Sequence, residues 1–155
     1  MSNYIMDLRK IVGHRCLIQC AASIIVENEK GQILLGLRSD NLEWGYSGGS
    51  IEIDEIPEDC AKRELLEEMG LKALELEYFT SNAGPEAHYI YPNGDEVSNV
   101  EIVFRCNKYE GIPHPADGEM LDLNFFDIDD LPKNISKPII PVIKKYVEYR
   151  KNLKK

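Results

Sequence analysis

The chain has 155 residues, 43% hydrophobic and 29% charged, which is the composition of an ordinary globular protein with one domain over residues 1–155. Its net charge of −9 argues against a broad nucleic-acid-binding face or attachment to an anionic membrane, because both partners need clustered Lys and Arg. If such a chain acts on phosphates, a cation has to mediate the meeting.

Residues 1–12 show weak periodicity and read as a short edge strand or a loose arm. Asp7, Arg9, Lys10 and Arg15 interrupt this region, and the apolar run Cys20–Val26 contains Ser23. That run is too short for a signal-peptide core or a membrane span, so the cytoplasm is expected. The four cysteines (Cys16, Cys20, Cys60, Cys106) lack the paired spacing of a zinc site and read as buried thiols.

From His14 to Glu27 the pattern predicts a long strand, then a turn at Asn28-Glu29-Lys30-Gly31 and a returning strand over Gln32–Arg38, together a hairpin. Arg38, at the end of that second strand, faces either a substrate phosphate or a surface salt-bridge partner. Trp44 and Tyr46 stand beside a Gly-rich loop, where an aromatic ring either stacks on a base or plugs the core.

In Trp44-Gly45-Tyr46-Ser47-Gly48-Gly49 the glycines, Gly48 among them, let the backbone approach a ligand. The helix that follows begins at Pro57, which puts Ile56 at the N-cap, where its side chain accepts no hydrogen bond. At 100° per residue, Glu64, Glu67 and Glu68 share one helix face, and like charges at that spacing cost stability. A hard divalent cation would offset that cost; the other reading is a solvated helix face, with Glu58 and Lys62, or Asp59 and Arg63, as helix pairs.

Gly49, five residues, Glu55, seven residues, and then Arg63-Glu64-Leu65-Leu66-Glu67-Glu68-Met69-Gly70-Leu71 reproduce the fixed positions of the Nudix box. The chain therefore resembles the Nudix hydrolases. Many members of that family carry Pro where Ser47 stands and Gly where Asp54 stands.

Further along, Ala73–Thr80 reads as a strand, and Pro92-Asn93-Gly94-Asp95 turns a hairpin between His88–Tyr91 and Val97–Arg105. Gly118-Glu119 lies in a loop before a last strand over Leu121–Phe126. Pro138–Leu153 has helical spacing with an apolar face suited to covering a sheet. His14, His88 and His114 adjoin no carboxylate pair or Cys cluster in the sequence, so no catalytic histidine is expected.

The resemblance implies an α/β fold, a Nudix-type α/β/α sandwich with a mixed β-sheet. It also implies Mg²⁺, or Mn²⁺ in its place, held by Glu64, Glu67, Glu68 and the Gly49 carbonyl. Water would attack a phosphorus of a nucleoside diphosphate linked to another group. Glu67 or Glu119 would take the proton, with Glu101 as the competitor of Glu119, while Glu55 and Arg63 fix the loop and helix. The substrate expected is a small-molecule nucleotide, first a nucleoside triphosphate as in the MutT-like members. ADP-ribose or another nucleotide sugar is the alternative, and a non-catalytic nucleotide-binding module is a third. Many members pair, which leaves a homodimer open.

Overall fold

The computed structural model of the chain describes residues 3–153. It opens with a helix, α1 (Tyr4–Val12), and not with the strand or arm expected for residues 1–12. Asn3 caps α1 by accepting from the Met6 amide, and Gly13 ends it at φ 63°. Arg9 then turns inward, and its guanidinium donates to the carbonyls of Gly13, Arg15 and Glu96. Those bonds clamp the helix against the rest of the fold.

The strands are β1 (Leu17–Val26), β2 (Ile33–Arg38), β3 (Trp44–Gly45), β4 (Ser47–Ser50), β5 (Lys72–Asn82), β6 (His88–Ile90), β7 (Glu96–Glu110) and β8 (Met120–Phe126). The larger sheet runs β4-β1-β7-β5, with β6 on β7, and it is mixed: β1 pairs parallel with β7 and antiparallel with β4. A smaller antiparallel sheet runs β3-β2-β8. The expected hairpin of the first two strands is therefore corrected. Beyond one bridge at Glu27–Ile33, β2 leaves β1 and joins β8. Both strands are apolar on both faces, so neither pattern prescribes its neighbour.

Two helices cover the larger sheet. The box helix, α2 (Pro57–Met69), buries Cys60, Ala61, Leu65 and Met69 against Ala22, Ile24, Val26 and Phe104. The last helix, α3 (Ile140–Leu153), buries Val142, Ile143 and Tyr146 against Ile25, Leu35 and Val103 on the other side. Alternate residues of β1 thus feed opposite cores, which makes the α/β/α sandwich. Removing Leu65's side chain would cost about 2 to 5 kcal/mol, the usual range for emptying a filled core site.

The α2 N-terminus follows the sequence: Pro57 is in the first turn, and Ile56 is an extended N-cap with no side-chain bond. Asp54 sits at φ 64°, which explains why glycine is common there and why Asp, tolerant of left-handed backbone, is accepted. Cys60 and Cys106 are buried as expected, whereas Cys16 and Cys20 are exposed. Those two stand where β1 runs into solvent: Leu17 is half-buried, and Ile18 is also exposed.

Candidate active site

The acids of α2 differ sharply in surroundings. Glu68 is only 1% exposed. Its Oε1 accepts from Ser47 Oγ at 2.9 Å and from the Gly48 amide at 3.1 Å. Burial raises its pKa well above the carboxylate range, the charges of Glu64 and Glu119 push the same way, and the Ser47 and Gly48 bonds oppose them. Glu64 is also raised, first by burial, against the pull of Arg63 and with repulsion from Glu67 and Glu119. The Glu67 side chain is 38% exposed and receives a long bond from Arg63 Nη1 at 3.4 Å.

Arg63 organises the box. Its Nε and Nη2 fork onto Glu55 at 2.8 and 2.9 Å, Nη1 reaches Glu64 at 2.8 Å, and Nη2 also reaches the Ser50 carbonyl. The guanidinium holds the Glu55 carboxyl down at about 2. Gly49 lies directly beneath Glu64: a Cβ there would collide with the Glu64 carboxylate. Glycine at that position lets the acid fold back over the loop.

Glu119 reaches this group from another direction. The loop between β7 and β8 is tied to the end of α2 by the His114 amide on the Met69 carbonyl and the Ala116 amide on the Glu68 carbonyl. At the rim of the site Glu119 is solvent-exposed, and its pKa is raised by lost hydration on the inner side and by Asp117, against Arg38. Arg38 forks onto Asp40 at 2.8 and 2.9 Å, which is the salt-bridge reading, yet it also lines both cavities described next.

One cavity, about 340 Å³, lies over the box and is bounded by Gly49, Glu64, Glu119, Arg38 and, from α1 and its cap, Met6 and Asn3. The other, about 120 Å³, sits over the larger sheet with Gln19, Ser23, Tyr46, Asn82, Asn99 and Glu101 around it. Gln19, Arg38, Gly48, Gly49 and Tyr91 line both, so the two adjoin. Tyr46 is buried, and its hydroxyl donates to Glu101 at 2.7 Å, as does Ser23 Oγ. Glu101 therefore belongs to the sheet cavity, where burial raises its pKa. Trp44 packs edge-on against Phe126 in the α3-side core and lines neither cavity.

Sequence reasoning passed over Tyr89 and Tyr91, which form an edge-to-face pair 4.9 Å apart beside the sheet cavity. Alternation along the predicted strand His88–Tyr91 was the available signal. It also passed over Ser47 as a partner of Glu68 and over α1 as a wall.

The box residues fit a hard divalent cation. They offer carboxylate oxygens that crowd like charges in partial burial, beside the Gly49 carbonyl, on which the Cys60 thiol sits at 3.5 Å. Arg63 Nη1 bridges Glu64 and Glu67. Among the described residues, the group of His, Cys, Asp or Glu ligand atoms gathered within 4.8 Å of one another is a different one, Cys16, His88 and Glu96.

A protein-family model described as NUDIX domain matches residues 18–146. The chain is 30% identical over 113 residues to the oxidized purine nucleoside triphosphate hydrolase of Danio rerio, covering 71% of this chain and 67% of that protein. It is 33% identical over 113 residues to the NAD-capped RNA hydrolase NudC of Chromobacterium violaceum, covering 71% of this chain but 39% of that protein. Among solved structures, a MutT NUDIX hydrolase from Burkholderia pseudomallei superposes with a TM-score of 0.71 at 22% identity, covering 83% of this chain and 98% of that one. At that identity the likeness is one of fold.

Proposed function

The chain belongs to the Nudix hydrolases, and we propose that within them it is a magnesium-dependent pyrophosphohydrolase that cuts nucleoside triphosphates into a monophosphate and pyrophosphate. The observation that carries this reading is the two-part cavity. A small polar chamber over the sheet opens beside a chamber walled by Glu64, Glu119 and Arg38, as a base joined to a phosphate chain requires.

Magnesium, or manganese in its place, would be held by Glu64, Glu67, Glu68 and the Gly49 carbonyl, and when bound it supplies Lewis acidity toward phosphate oxygens and an acidified water. The chain's own residues do the positioning. Ser47 and Gly48 fix the Glu68 carboxylate, and Arg63, anchored by Glu55, aims Glu64. Arg38 offers positive charge to the phosphate chain. Glu67 and Glu119, the two acids open to solvent, stand ready to take the proton of the attacking water.

In the sheet chamber, Glu101, Gln19, Asn82 and Asn99 give a hydrogen-bonding floor for a base, with Tyr89 and Tyr91 beside it. An oxidised purine triphosphate heads the candidate substrates, since the Danio rerio relative is named for that activity. The four free thiols fit a reducing compartment, which favours the cytoplasm for this enzyme.

Product analysis on a panel of nucleoside triphosphates, oxidised dGTP, ADP-ribose and dinucleoside polyphosphates, with magnesium and with a chelator, tests this reading. Pyrophosphate plus monophosphate, formed only with the metal, supports it. Turnover confined to ADP-ribose, or no turnover of any nucleotide, overturns it.

A further inference from the structure

Away from the box, three strands bring together residues that share no motif. Strand β1 runs parallel to β7 from the pair Leu17–Val97, which sets Cys16, one residue upstream, beside Glu96. Strand β6 runs antiparallel to β7 with His88 opposite Ser98, so His88 is the diagonal neighbour of Glu96 on the same face. His88 Nε2 lies 2.7 Å from Glu96 Oε1, and the Cys16 sulfur, the His88 nitrogen and the Glu96 oxygen all lie within 4.8 Å of one another. By alternation this face is the reverse of the one that Asn99 and Glu101 present to the sheet cavity.

We propose that Cys16, His88 and Glu96 form a binding site for a zinc-type divalent cation, its fourth position open to water, which staples β6 to β1 and β7. The donor chemistry separates it from the box. Thiolate, imidazole and carboxylate together suit a borderline-soft ion, whereas the carboxylates of the box suit a hard one. Around a tetrahedral zinc the ligand atoms lie roughly 3 to 4 Å apart. Closing from the present spacing needs only side-chain rotation, and Cys16 and His88 are both exposed.

Binding replaces the hydrogen bond between His88 and Glu96. His88 ligates through Nε2 and keeps its proton on Nδ1, the Cys16 thiol gives its proton to solvent, and Glu96 binds as the carboxylate. The consequence reaches the active site through one strand. Residues of β6 alternate, so fixing His88 on the outer face also fixes Tyr89, and with it Tyr91, at the sheet cavity.

Cobalt(II) is the probe. One equivalent added to the reduced full chain should give a thiolate-to-cobalt charge-transfer absorption, to which the carboxylates of α2 contribute nothing. Cys16→Ser should abolish the absorption and Cys20→Ser should leave it. His88→Ala should weaken cobalt binding by at least about 10-fold, the loss that even outer partners of a metal site bring. Zinc should slow hydrogen exchange of the amides of residues 88–91 in the wild type and not in Cys16→Ser. An absent absorption, or one that persists in Cys16→Ser, overturns the site. Exchange unchanged by zinc overturns the staple.

Discussion

Ser47 Oγ donates a 2.9 Å hydrogen bond to Glu68 Oε1 in the interior, where that carboxylate is also held by the Gly48 amide. A buried charge with two donors loses much of its preorganisation when one is removed. Ser47→Ala should weaken magnesium binding by about 10-fold, the range for outer partners of a metal site, while the fold persists. A magnesium titration of turnover checks this. An unchanged half-saturating concentration would show that Ser47 merely fills space.

Glu64 and Glu68 both have pKa values above the ordinary carboxylate range, chiefly through burial. For an acid raised by folding, the native state holds the extra proton, so metal-free stability falls as pH rises through the window just above the ordinary value. A bound cation reverses that preference and expels the proton. With a chelator present, the melting temperature should decline from weakly acid to neutral pH, and Glu68→Gln should flatten the decline. Calorimetry in buffers of different ionisation enthalpy should register proton release on magnesium binding.

The Glu55–Arg63 fork works with the opposite sign. Glu55 is lowered from 4.5 to about 2, so its stabilisation is fully present above 4.5 and is lost as pH falls toward about 2. Wild type and Glu55→Gln should therefore differ in stability at neutral pH and converge in strong acid. Denaturant titrations at several pH values measure that difference. Arg63→Lys, which keeps charge but not the fork, should lower turnover because Glu64 loses its anchor.

Helix α2 starts at an uncapped residue. Ile56 is extended and 55% exposed, so little packing is lost on shortening it. Ile56→Ser should gain about 1 kcal/mol from a side-chain bond to the first-turn amides. A thermal melt should rise by about 2 to 4 °C for a domain of this size, and a fall would show that Ile56 props the helix by contact.

How much of this was legible in the sequence depended on range. The start of α2 at Pro57, the shared face of its acids and the Asn93-Gly94 hairpin are local, and local chemistry dictates them. Helix α1 was also written locally, in Asn3, in Ile5, Leu8 and Val12 at helical spacing, and in Gly13, but a nine-residue helix repeats its apolar spacing too few times to stand out from a strand or arm. Other features depend on partners far along the chain. The pairing of β2 with β8, the edge of Trp44 on Phe126 and the Tyr46 hydroxyl on Glu101 each join segments that no short-range rule connects. The exposure of Cys16 and Cys20 likewise follows from where β1 emerges from the fold, which no alternation pattern states.

The account rests on the acids of α2 gathering around a divalent cation. Anomalous scattering from a crystal of the protein grown with manganese tests it most directly. The predicted result is a manganese peak bounded by Glu64, Glu68 and the Gly49 carbonyl, with Arg63 still forked onto Glu55. Manganese bound elsewhere while Glu64, Glu67 and Glu68 remain apart would contradict it.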